Sequence, residues 1–231
     1  MKHIIYAVLL FSFSLMAQPK SPEEIMEKVK NEFNKIEDYQ VDVKIKVDVE
    51  FLKMSDSEAT IYYKKPDKFH IESENFAMLP KSSLNSSPFG FLNYNYTAFY
   101  VKEDTINGIK VSVVKVIPLE GDADVILSSF WIDTKRNLIL KVESSRKPSG
   151  IFSINLEYLK IEDKFWLPST MVFSFTIEPG FLPKRFTDEI NPEDAKKDLN
   201  KEKVGKVYLT YSNYKVNTDL PDSIFKEEKG K

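Results

Sequence analysis

The sequence has no cysteine among its 231 residues, only two histidines and only seven glycines. Lacking cysteine, it can form no disulfide, no thiolate metal site and no thiol nucleophile. Its glycines (90, 108, 121, 150, 180, 205 and 230) are too scattered to build a phosphate-cradling loop. The formal net charge is −2, so there is no basic excess to attract nucleic acid, and none is expected as a partner. No apolar run reaches the roughly twenty residues that span a bilayer as a helix. What remains is ordinary for a folded chain, with 42% hydrophobic and 29% charged residues. That length and composition suit one large domain with a full core.

The first seventeen residues read as a secretory leader. Met1-Lys2-His3 is a short positive start, Ile4 to Leu15 an apolar run, and Ala17 a small residue before Gln18. Cleavage after Ala17 would leave residues 18–231 as a single domain, released in soluble form outside the cytoplasm, in the periplasm of a bacterium. With no cysteine after the apolar run, a lipid anchor at a mature N-terminal cysteine is not expected. His3 leaves with the leader, so His70 would be the only histidine left, and a multi-histidine metal site is excluded. A Ser-His-Asp triad could still use that one residue. Its position in a run of alternating residues reads more simply as a polar strand residue.

After the leader, Ser21-Pro22-Glu23-Glu24 combines a capping serine, a proline at the first helical position and a capping-box acid. Ile25, Val29, Phe33 and Ile36 follow at helical spacing, which predicts one amphipathic helix over residues 22–38. The period then changes to two. Val41, Val43, Ile45, Val47, Val49 and Phe51 alternate with Asp42, Lys44, Lys46, Asp48 and Glu50, a long strand with one wet face. Further strands are predicted over 59–64, 68–73, 110–117, 125–133 and 138–144; Phe152, Ile154, Leu156 and Tyr158 make one face of another, Met171, Phe173, Phe175 and Ile177 one face of its hairpin partner, and 207–216 is the last. Turns lie at Lys65-Pro66-Asp67 and Thr134-Lys135-Arg136-Asn137. The order has no βαβ rhythm, so the sheet is antiparallel.

Two segments fit neither period. Residues 74–99 carry Phe76, Met78, Leu79, Phe89, Phe91, Leu92, Tyr94, Tyr96 and Phe99, and residues 178–206 carry Phe181, Leu182 and Phe186 before a charged stretch. Insertions of this length in a compact domain are usually functional or mobile. So many one-sided strands with a single strong helix call for a curved antiparallel sheet wrapped around that helix and the irregular segments. Such a mainly β (α+β) fold leaves an apolar concavity, or else closes as a filled barrel or sandwich.

Three stretches, in order, resemble a known family. Lys65-Pro66-Asp67-Lys68-Phe69 resembles the Arg-Pro-x-x-Phe stretch of LolA-like outer-membrane lipoprotein carriers. Phe130-Trp131-Ile132-Asp133, then Leu138-Ile139-Leu140-Lys141, resembles a hairpin of the wider outer-membrane lipoprotein-sorting family. Tyr214-Lys215-Val216-Asn217 with Leu220-Pro221-Asp222-Ser223-Ile224-Phe225 is similar to the closing segment shared with the RseB/MucB regulators. The resemblance implies an unclosed β-barrel with a lid over a cavity for acyl chains, no cofactor and no metal.

On that basis the expected cavity and lid residues are Val43, Ile45, Val47, Val49, Phe69, Phe76, Met78, Leu79, Phe89, Phe91, Leu92 and Trp131. Lys65 stands where the carriers have an Arg that helps hold the lid, and is the candidate lid contact. Lys cannot reproduce the planar fork of Arg, which points to a divergent relative. The implied function is a periplasmic, non-catalytic carrier of lipid or lipoprotein acyl chains, with an envelope membrane protein as a further partner. The alternatives are an RseB/MucB-like sensor or protein-binding module, and a hydrolase using carboxylates such as Asp42, Asp48 and Glu50. The lysines alternating with those acids suit a solvated face better than a catalytic one.

Overall fold

The computed structural model describes residues 21–49, 55–73, 95–119, 125–146, 151–177 and 203–226. The leader boundary after Ala17 lies outside these. Helix α1 (Pro22–Phe33) begins as its sequence directs: the Glu24 amide donates to the Ser21 hydroxyl at 3.3 Å, and Pro22 occupies the first turn. Ile25, Met26 and Val29 form its buried stripe. The helix stops at Phe33, five residues short of the predicted end. Ile36 is buried nonetheless, in a separate apolar cluster with Phe165, Leu167 and Val216. The chain turns here because the amides of Glu37 and Asp38 donate to the Asn217 side chain. The buried Asp38 carboxylate in turn accepts from the amides of Thr218, Asp219 and Leu220. These partners lie at the far end of the chain, so no local pattern announces them.

Among the described residues ten strands follow: β1 (Asp38–Asp48), β2 (Ser57–Lys64), β3 (Lys68–Glu72), β4 (Tyr96–Ile106), β5 (Ile109–Pro118), β6 (Val125–Asp133), β7 (Leu138–Arg146), β8 (Ile151–Ile161), β9 (Phe165–Ile177) and β10 (Lys203–Val216). A short 3₁₀ helix spans Asp222–Phe225. All strands join one antiparallel sheet in the order β3-β2-β1-β10-β9-β8-β7-β6-β5-β4. Every neighbouring pair is consecutive in sequence except β1 and β10, where Ile45 meets Leu209 and Val47 meets Val207. The edge strands β3 and β4 are themselves consecutive in the chain, so the sheet is a ring of ten opened at one seam.

The sheet is curved, because one buried cluster draws on nine of its strands and the tenth, β3, packs against it. Ile25, Met26 and Val29 of α1 share it with Val41, Val43, Ile45, Ile61, Ala98, Val114, Phe130, Ile139, Leu156, Met171 and Leu209. Phe69 on one edge and Tyr96 on the other pack against the same cluster. A flat sheet of ten strands could not bring its two edges to one helix. The mainly β, unclosed barrel around an N-terminal helix is therefore the observed architecture.

Two departures from the sequence reading concern the irregular segments. Tyr96–Phe99 belong to β4, and Lys203–Lys206 to β10. Alternation fails in β4 because an edge strand is wet on more of its surface: Phe99, Tyr100 and Val101 are all exposed. A bulge between Tyr100 and Lys102 also shifts its phase.

The antiparallel order gives the barrel two unlike ends. At one end the connections are tight, over residues 65–67, 107–108, 134–137 and 162–164. Asn107, Gly108, Asn137, Glu162 and Asp163 take the positive φ that such turns demand. At the other end, here termed the mouth, β1, β3, β5, β7 and β9 finish and β2, β4, β6, β8 and β10 begin.

Candidate functional site

The inward face of the barrel near the mouth is built from aromatic rings. β8 and β9 pair so that Phe152 stands opposite Phe175 and Ile154 opposite Phe173. The Phe173 ring centre is 5.5 Å from both Phe152 and Phe175, within the usual aromatic contact range. All three rings are only half-buried. Gly205 of β10 faces Phe175 in register, and its missing side chain is what admits the ring: a Cβ there would stand 2.4 Å from the ring's outermost carbon. Val47 on β1 and Ile71 on β3 continue the half-buried surface toward the seam, where Phe69 and Tyr96 stand. Polarity enters the wall at Ser128 and Ser144, whose facing hydroxyls bond each other at 2.6 Å.

Farther from the mouth the inward face turns to tyrosine. Tyr39 stacks on Tyr63 at 5.2 Å and meets Tyr214 edge-on at 5.9 Å. Tyr211 stacks on Tyr214 at 6.3 Å. Two inward tyrosines three residues apart break strand alternation. The register shift between Gln40 and Asp42, with Asn213 at φ 55°, makes it possible. The hydroxyls of Tyr214 and Tyr158 donate to the carbonyls of Pro168 and Ile139, each at 2.8 Å. Burial pushes the Tyr63 phenol up to about 12, and lifts Tyr39, Tyr158, Tyr211 and Tyr214 well above the usual phenol range. These groups therefore stay neutral and offer the interior their apolar rings. A shallow cleft, open to solvent, lies beside the last turn of α1 between Phe33, Leu138, Tyr158 and Trp166.

The expected site residues are distributed as follows. Val43 and Ile45 are fully buried in the main core, Val49 is buried, and Val47 is half-buried. Phe69 lies on β3 opposite Tyr63, packed against the main core. Trp131 points away from the helix, because Phe130 and Ile132 on either side of it are the buried inward residues of β6. Its indole donates to Asp104 at 3.2 Å, Lys141 sits over its ring at 4.5 Å, and it packs near Val111 and Leu140. Lys65 bonds the Asn34 carbonyl and the Glu37 carboxylate, tying the β2–β3 turn to the end of α1. Phe76, Met78, Leu79, Phe89, Phe91 and Leu92 lie outside the described residues.

Among the described residues, the polar side chains read as candidates stand apart, and Glu50 lies outside those residues. His70 is half-exposed on β3, with Glu72 at 3.9 Å. Asp42 accepts from Thr60 and Asn213 on the outer surface. Among the described residues no group of three or more His, Asp or Glu side chains is placed to hold a metal. None of their helices is long and apolar enough to cross a membrane.

The sequence reading had the Phe152 and Phe173 rows as strand faces without singling them out as a site. Gly205 falls in the 178–206 segment that shows no period, and only the start of β10 at Lys203 makes it a lone glycine inside a strand, the usual mark of close approach.

No family profile and no curated protein matches the sequence. Solved structures do match in shape. A DUF1329 family protein from Desulfovibrio piger superposes with a TM-score of 0.60 at 11% identity, covering 89% of this chain and 97% of that one. A domain named for outer membrane lipoprotein sorting, from Vibrio parahaemolyticus, gives 0.58 at 13% identity over 89% and 97%. A LolA superfamily protein from Nitrosomonas europaea gives 0.54 at 12% identity over 90% and 99%. The chain has a LolA-like fold. At these identities the likeness concerns the backbone path, and the side chains of the LolA-like barrel must speak for themselves. Theirs is an inward wall of rings and aliphatic groups, with phenols held neutral deeper in.

Proposed function

We propose that the protein is a non-catalytic carrier of the bacterial envelope that binds the acyl chains of a lipid or lipoprotein against the inward wall of its barrel. The leader pattern of residues 1–17 supports a soluble periplasmic location. The observation that carries the reading is the half-buried Phe152–Phe173–Phe175 cluster at the mouth. Each methylene moved from water onto such a surface contributes about 0.8 kcal/mol, so a long acyl chain binds through area alone and needs no catalytic group. A LolA-like neighbour named for lipoprotein sorting supports the cargo class. An envelope membrane protein would supply or receive that cargo.

The test is titration of lipid-free protein with a fluorescent palmitoyl probe. The expected result is saturable binding, displaced by phospholipid or lipopeptide and weakened roughly tenfold or more by Phe173→Ser with the β-sheet circular dichroism unchanged. Stable, lipid-free protein that binds no probe would replace the carrier reading with a protein-binding module.

A further inference from the structure

At the mouth a second set of apolar side chains faces outward. Phe99 on β4 is 49% exposed, Ile117 on β5 41%, Leu119 just beyond it 63%, Ile151 at the start of β8 62% and Val204 near the start of β10 58%. Four of these adjoin a residue of the inner face, namely Ala98, Val116, Phe152 and Gly205, so alternation directs them to the outside. The tight-turn end has no exposed large apolar side chain among the described residues. It carries instead ion pairs such as Lys64–Asp222, Lys68–Asp222 and Lys65–Glu37.

Scattered exposed apolar residues are normal on a soluble protein, but five of the seven among the described residues lie toward one end, and the other two, Tyr100 and Val101, follow Phe99 along the edge strand. Their spacing identifies the occupant. Sheet order separates β5 from β8 by two strands and β8 from β10 by one. In a curved barrel the outer sides of those strands face different directions. A protein docked on the flank would reach one or two of them, whereas a surface met end-on reaches all. A fluid bilayer is such a surface, since it accepts apolar groups around a whole rim without needing a complementary shape. Lys115, in register with Phe99, and Lys206, two residues after Val204, are exposed beside the rim, where long cationic chains can reach lipid phosphates. Asp48, in register with Lys206, offsets part of that charge, so apolar insertion carries most of the binding.

We propose that the mouth of the barrel docks end-on onto a lipid bilayer, with Phe99, Ile117, Leu119, Ile151 and Val204 entering the headgroup boundary. Docked this way, the phenylalanine end of the inward wall is the end nearer the lipid. The proposal stands on the outward rim and holds whether or not that wall carries cargo.

The chain has no cysteine, so Leu119→Cys and Lys135→Cys each give one site for an environment-sensitive dye, at the mouth and at the opposite end. With vesicles of phosphatidylethanolamine and phosphatidylglycerol, the protein should float with the lipid and the dye at position 119 should shift to the blue, while that at 135 does not. The triple variant Phe99→Ser/Ile117→Ser/Leu119→Ser should keep its melting temperature and lose vesicle affinity by roughly tenfold or more. Phe173→Ser should float as the parent does, even where palmitoyl-probe binding is lost. Absence of flotation, equal dye shifts at both ends, or flotation of the triple variant at parental affinity would each overturn the proposal. Concentration-dependent dimerisation abolished by the triple variant, without vesicle binding, would assign the rim to a second copy of the chain.

Discussion

Gly205 shows how one absent side chain shapes the inward wall. Its Cβ position lies 2.4 to 2.9 Å from three carbons of the Phe175 ring, closer than side chains pack. Gly205→Ala must therefore turn the ring, and the half-buried wall leaves it room to turn. The expected cost is about 1–2 kcal/mol, read from the urea midpoint, with changed palmitoyl-probe affinity because Phe175 moves against Phe173. An unchanged midpoint and affinity would show the ring already standing elsewhere. Asp222, at the tight-turn end, gives a pH test. It accepts from Lys68 at 2.7 Å and Lys64 at 3.0 Å, and these ammonium groups hold its carboxyl down to about 2. A depressed carboxylate contributes stability above its ordinary value near 4, and that contribution disappears as the pH falls through about 2. Carbon NMR of the Asp222 carboxyl should show a midpoint near 2, moved upward by Lys68→Met. Because the group is exposed, the effect on global stability is small.

At the scale of the element, β1 is the strand whose faces are most unequal. Val41, Val43 and Ile45 are buried while Lys44, Lys46 and Asp48 are in water, as the alternation predicts. A one-residue slip would exchange the two sets, so neighbouring substitutions should behave oppositely. Ile45→Asp places an unpaired carboxylate in the main core and should cost about 3–5 kcal/mol or prevent folding, whereas Lys46→Gln should stay within about 0.5 kcal/mol. Thermal melts of the two variants measure the contrast, and similar losses would reverse the face assignment. Helix α1 was legible at its start, where Ser21, Pro22 and Glu24 are local signals. Its end was not, because the groups that turn the chain at Asp38 come from Asn217 and residues 218–220.

For the molecule as a whole, the seam between β3 and β4 is the mechanical feature. Among the described residues, interior strands such as β10 have hydrogen-bonded neighbours on both sides, while β3 and β4 each have one. Amide hydrogen exchange should therefore be slowest along β1, β10 and β9 and fastest on β3 and β4. Equal protection on the two edges and the centre would mean that the seam is covered.

The sequence alone determined the local features: the start of α1, the buried face of β1, the β6–β7 and β8–β9 hairpins, and an antiparallel sheet with too little helix to cover it. Those follow from period, capping and turn chemistry, which act over a few residues. Tertiary structure decided the rest. Alternation says which face of a strand is dry, not which strand lies beside it, so the pairing of β1 with β10 across nearly the whole chain was invisible. For the same reason the meeting of Phe152, Phe173 and Phe175 above Gly205 could not be read in advance, and neither could the outward turn of Trp131 over Val111 and Leu140. The edge strand β4 escaped because a strand exposed on most of its surface has little pattern to show. The rim at the mouth emerged only when curvature brought distant strand ends to one side of the molecule.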